Sequence, residues 1–89
     1  MTAADARVAS RLRWLVAREL GVDEEALAAE TSLRDDLAAD SLDLVELALV
    51  LEGELGVVLP EPIFEGVCTY GELVGTIVDV LPTDAPRAA

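Results

Sequence analysis

The residues best suited to chemistry are four in a row, Asp40-Ser41-Leu42-Asp43. An Asp followed three residues later by a second acid, ahead of an apolar run, marks a helix start. Asp40 would cap that helix, and Asp43 would sit in its first turn, where negative charge is favoured. The Ser41 hydroxyl then stands at a helix N-terminus, where unpaired N–H groups and the macrodipole favour a phosphate ester. A serine there can equally be nothing more than a first-turn residue. As a hydrolase nucleophile Ser41 fails, because the chain has no His to take its proton. A Ser-His-Asp triad, a Cys-His pair and a His-ligated metal site are excluded within this chain for the same reason. A group attached to Ser41 by another enzyme needs no internal base.

Other reactive groups have plainer readings. Cys68 has no base or cation beside it in sequence and is expected to be a buried small hydrophobe. Asp35, Asp36, Asp40 and Asp43 lack the D-x-D-x-D-G spacing of a calcium loop, so no dedicated metal is expected. On the first helix Arg7, Arg11, Trp14 and Arg18 share one stripe. Arginine stacking on a half-exposed indole explains that stripe better than a partner contact does.

Charge narrows the partners. Six Arg, no Lys and eighteen acids give a net charge of −12. Residues 1–20 sum to +2, with four Arg against Asp5 and Glu19, while residues 21–89 sum to −14, with two Arg against sixteen acids. The acidity therefore surrounds Ser41. Such a field repels nucleic acid and anionic membrane and attracts basic protein surfaces. No uncharged stretch approaches the roughly 18 residues of a membrane span, and the start MTAADARVAS has no basic segment followed by an apolar run. The single cysteine excludes an internal disulfide and fits a reducing, cytoplasmic setting.

Helices must position these residues. With only three aromatics in 89 residues, Leu, Val and Ala do the packing, and Leu and Ala enter helices at little cost. Val8, Leu12, Leu15, Val16 and Leu20 make one helical face, stopped at Gly21. Residues 21–40 form a long connection, anchored by Leu27, Leu33 and Leu37, with a helical turn expected over Ala26–Glu30. Long connections of this kind are often functional, and this one ends at Ser41. The second helix runs to about Leu55, with a core stripe of Leu44, Leu47, Ala48, Leu51 and Leu55. A second stripe, Leu42, Val45 and Leu49, is interleaved with Asp43, Glu46 and Glu52. One face suffices to pack a small domain, and surplus apolar surface rimmed by charge marks an interaction site. Pro60 and Pro62 punctuate the next link, Ile63–Gly66 holds at most a short helix, and Thr69 caps a last helix. Its face is Tyr70, Leu73, Val74, Ile77, Val78 and Leu81, and Pro82 stops it. One domain, an all-α four-helix bundle of three main helices and one short one with a long first loop, spans 1–89. About 5–81 should be folded, and 82–89 should form a flexible tail.

The stretch LAADSLDLVELALVLEGELGVVLPE resembles the signature of the acyl carrier protein family, a DSL triplet opening a helix that continues D-x-VEL…LE. The resemblance spans nearly the whole chain. It implies an acyl-carrier-protein-like bundle that is not an enzyme, in which Ser41, flanked by Asp40 and Leu42, bears 4′-phosphopantetheine derived from coenzyme A. Acyl intermediates would ride on that arm as thioesters. Asp43, Val45, Glu46, Leu49 and Glu52 match the family's partner-facing side, and Ile63 is a further candidate contact. Leu47, Leu51 and Leu55 match positions that shelter acyl chains, with Phe64 at the pocket mouth. The implied partners are a phosphopantetheinyl transferase and then acyl transferases, ketosynthases, reductases or other enzymes with basic docking patches. A monomer is expected, and the short tails favour a stand-alone chain.

Two departures carry structural expectations. Where the family often has Gly two residues before the triplet's Asp, this chain has Ala38, and Ala adopts positive φ less readily, so the loop is expected to reach Ser41 by a different route. Gly53 interrupts the late second helix at a cost of about 1 kcal/mol, so fraying is expected there. The residues leave fatty-acid, polyketide and other specialised pathways open. An aminoacyl or peptidyl carrier, and an acidic binding module without cofactor, are the alternatives.

Overall fold

The computed structural model describes residues 3–59 and 63–81, with side chains from residue 6 onward. The predicted tail, 82–89, and the Pro60–Pro62 punctuation lie outside the described residues. Helix α1 runs Ala3–Leu20, α2 Ser41–Leu55, α3 Ile63–Gly66 and α4 Tyr70–Val80, with one 3₁₀ turn, Glu24–Ala26, in the long first loop. Among the described residues there are no strands, only a single bridge between Ser32 and Thr69. The all-α bundle expected from the sequence is the fold observed.

Each helix buries the face its periodicity marked. Leu12, Leu15 and Val16 of α1, Leu44, Leu47 and Leu51 of α2, and Leu73 and Ile77 of α4 meet in one core with Leu27 and Leu33 from the loop. Leu37 is only partly buried against it. No polar or charged described residue is buried, so burial of apolar surface carries the association of the helices, at about 25 cal/mol per Å².

The helical turn in the loop falls at Glu24–Ala26, earlier than the predicted Ala26–Glu30. Beyond it the loop is clamped to the start of α4. Leu33 N–H donates to Cys68 O at 3.0 Å, Tyr70 N–H to Thr31 O at 2.9 Å and Gly71 N–H to Ala29 O at 2.9 Å. That last approach demands glycine, since a Cβ at Gly71 would lie 2.8 Å from Ala29 O. From α1, Arg13 Nη1 donates to Glu24 O at 2.9 Å and to Leu27 O at 2.6 Å. Its guanidinium also lies 5.1 Å from the centre of the Tyr70 ring. Burial raises the Tyr70 hydroxyl above its ordinary value of 10.0, against the lowering effect of Arg13 and with a further rise from Glu24.

Both structural departures resolve against the sequence expectation. Ala38 adopts φ 58°, the left-handed conformation itself, rather than forcing another route. The Cβ clash there costs about 1–2 kcal/mol, and the loop absorbs it with Ala39 N–H donating to Leu33 O at 3.0 Å and Ala39 buried. Helix α2 continues through Gly53 to Leu55 and ends at Gly56, whose φ of 67° and N–H to Glu52 O make a left-handed cap. Arg11 of α1 reaches Glu54 across this last turn at 2.6 Å, tying down the stretch around Gly53. Arg18 lies 4.6 Å from the Trp14 ring, the stacking expected of that stripe.

Candidate functional site

Ser41 is the first residue of α2, and its side chain is exposed. It does not cap the helix, because Asp40 does. Asp40 Oδ1 accepts from Asp43 N–H at 2.8 Å, and Asp43 Oδ2 accepts from Asp40 N–H at 3.1 Å, a reciprocal capping box. The same motif recurs on α4, where Thr69 Oγ1 accepts from Glu72 N–H at 3.1 Å and Glu72 Oε1 accepts from the N–H groups of Cys68 and Thr69. Those backbone donors hold the Glu72 carboxyl below its ordinary value of 4.5.

Beside Ser41 a cavity of about 310 Å³ opens between α2 and α3, at the small end of the roughly 300–1,000 Å³ of small-molecule pockets. Its apolar wall is Leu44, Ala48, Leu59, Ile63 and Phe64, and Arg34, Ser41, Glu52 and Glu65 border it. Val45 and Leu49 line it too, yet they remain 55% and 63% exposed, beside Leu42 at 64%. The surplus stripe therefore forms both an outer apolar surface and one side of the cavity. Asp43 and Glu46 are exposed on the same helix.

Several expected roles are reassigned by the geometry. Leu47 and Leu51 are fully buried in the helix core and do not line the cavity, and half-buried Leu55 also lies away from it. The cavity instead opens on the neighbouring face of α2, at Leu44 and Ala48, because α3 covers that side; of the residues expected to shelter a chain only Phe64 borders it. Ile63, expected at a partner contact, is 8% exposed and faces the cavity. Glu52 is half-buried, with Oε2 accepting from Leu59 N–H at 2.9 Å, so it fastens the chain after α2. Cys68 is exposed rather than buried, since it immediately precedes the Thr69 cap and its backbone, not its side chain, faces Glu72 and the loop. Arg34 at the cavity rim had no signal in sequence beyond being one of two cations after residue 20. Among the described residues no group of acids and cysteine is arranged to hold a metal ion, and no helix is long and apolar enough to cross a membrane.

The family model for the phosphopantetheine attachment site matches residues 10–77, from within α1 to near the end of α4. The chain belongs to that family. It is therefore a phosphopantetheine-carrier protein, and membership implies a covalently attached 4′-phosphopantetheine. The residues at the α2 N-terminus fit such a group. An exposed hydroxyl, released from capping by Asp40, stands on the rim of a cavity whose walls are mainly apolar. Carrier domains of this kind are generally not catalytic.

Proposed function

We propose that Ser41 is the attachment residue, and that the chain, as a single carrier domain, shuttles acyl intermediates between enzymes of fatty-acid, polyketide or related specialised biosynthesis. The single observation that carries this reading is the exposed Ser41 hydroxyl on the rim of the apolar cavity, at a helix end whose capping is done by other residues. When bound, the arm supplies a thiol that holds the cargo as a thioester. The protein's own residues do the rest. Leu42, Val45 and Leu49 offer a desolvated centre for docking, with Asp43 and Glu46 steering basic partners toward it. Each exposed charge contributes about 1 kcal/mol or less, which suits a carrier that must leave one enzyme for the next. The first partner is a phosphopantetheinyl transferase, followed by acyl transferases, ketosynthases or reductases with basic docking patches. A monomer working in the cytoplasm fits the −12 charge and single cysteine.

The apolar wall of Leu44, Ala48, Leu59, Ile63 and Phe64 favours an acyl cargo over an aminoacyl one. The test is intact mass after incubation with coenzyme A and a broad-specificity phosphopantetheinyl transferase. A gain of one phosphopantetheine, absent from a folded Ser41→Ala variant, supports the reading. A gain that persists in Ser41→Ala would move the attachment elsewhere and overturn it.

A further inference from the structure

A helix N-terminus ordinarily welcomes a phosphate, but at that of α2 two of the amides are already taken by acids. The amides of Asp40 and Asp43 are both taken by carboxylates of the capping box. Two more acids, Asp35 and Asp36, precede it in the loop sequence, and Asp36 Oδ2 accepts from Ser32 N–H at 2.8 Å. A phosphodiester on Ser41 adds another negative charge to this cluster, and nearby like charges repel. A cation from elsewhere in the fold would offset that repulsion.

Arg34 is the one basic side chain bordering the cavity that Ser41 borders, and the one basic residue described after α1. No arginine of α1 lines this cavity, and three of them are engaged elsewhere. Arg11 pairs with Glu54 and Arg18 with Glu19, and Arg13 is held by two backbone carbonyls. Arg34 is exposed, and among the described residues it forms no ion pair. Its planar fork of donors matches the oxygens of a phosphate diester.

We propose that Arg34 is a positioning residue that pairs with the phosphodiester of the arm, holding the arm's first atoms against the cavity rim so that the remainder runs along the apolar wall. This inference rests on Ser41 as the attachment residue. It assigns to a loop residue charge compensation beyond that of a helix end where Asp40 and Asp43 take two of the amides.

The test compares wild type, Arg34→Ala and Arg34→Lys, each unloaded and loaded with the free-thiol arm so that no cargo carboxylate is present. Loading is verified by intact mass, and the readouts are the ³¹P resonance of the diester and the melting temperature, loaded minus unloaded. The three unloaded proteins should melt together, because Arg34 is exposed and has no ion pair among the described residues. After loading, Arg34→Ala should fall below wild type by a few degrees with a displaced ³¹P resonance. Arg34→Lys should recover part of the difference, and about 1 M salt should erase it, since screening there acts within roughly 3 Å. Loaded wild type and Arg34→Ala that share both the melting shift and the ³¹P resonance would overturn the role of Arg34 alone. No mass gain in wild type would overturn Ser41 as well.

Discussion

The two long helices that start beyond the first loop, α2 and α4, begin with the same device and use it for opposite ends. Asp40–Asp43 and Thr69–Glu72 are both reciprocal capping boxes. At α4 the residue after the cap is Tyr70, 3% exposed, and the cap itself is bridged to Ser32 and clamped by the loop. At α2 the residue after the cap is Ser41, exposed on the rim of a cavity and succeeded by Leu42, Val45 and Leu49 in the open. A cap fixes where a helix starts. The side chain in the very next position decides whether that start is buried as an anchor or presented as a site.

Substitution at the first helical position should separate the two ends most widely. Ser41→Ala should abolish loading with phosphopantetheine and leave the melting temperature unchanged, since the exposed hydroxyl supports no packing. Tyr70→Ala should do the reverse, costing about 3 kcal/mol or more, a fall of roughly 12 °C or more in melting temperature for a domain of this size. Its remaining folded fraction should still load. A Tyr70→Ala protein that melts like wild type would mean that the α4 end is no anchor.

The caps themselves should be close to equal in stability and unequal in loading. Thr69→Ala and Asp40→Ala should each cost about 1 kcal/mol by thermal melting. Thr69→Ala should load at the wild-type rate, whereas Asp40→Ala, by loosening the turn that presents Ser41, should load more slowly. Equal loading rates would remove the distinction between the ends.

The smallest effect is a pH dependence confined to the α4 cap. Glu72 is held below its ordinary 4.5 by the amides of Cys68 and Thr69, so its folded form binds protons less readily than its unfolded form. Stability from this group is present above the unfolded value and is lost as pH falls through the folded one. Wild type should therefore lose stability relative to Glu72→Gln as pH drops below about 4.5, read as the difference between two melting-temperature profiles. The relief of repulsion among the other acids is common to both proteins and cancels. Parallel profiles would show that the Glu72 bonds to the cap are not maintained in solution.

Much of this arrangement was legible because it depends on local spacing. The faces of α1, α2 and α4, the Thr69 cap, the anchors Leu27 and Leu33, and the surplus stripe at Leu42, Val45 and Leu49 come from a 3.6-residue period and from helix-start chemistry. The features that stayed hidden depend on how elements meet. Arg13 clamps the loop from an unremarkable position in α1, and no pattern of spacing points to carbonyls 11 and 14 residues away. Glu52 reads as one of a row of surface acids until the returning chain brings Leu59 N–H to it. Leu47 and Leu51 could not be separated from Leu44 and Ala48 as cavity walls, because the distinction turns on which side of α2 the short α3 covers. Ala38 defeated the reasoning from residue preference: the surrounding loop holds it at φ 58° despite its Cβ.

In the proposed function Ser41, and no other serine, takes the arm. The chain has three serines, Ser10, Ser32 and Ser41, and cleavage after Arg34 leaves Ser41 as the single serine of its peptide. Tryptic peptide masses of the loaded protein should show the phosphopantetheine gain on the peptide that begins at Asp35 and nowhere else. A gain on a peptide carrying Ser10 or Ser32 would rule out Ser41 as the sole attachment residue.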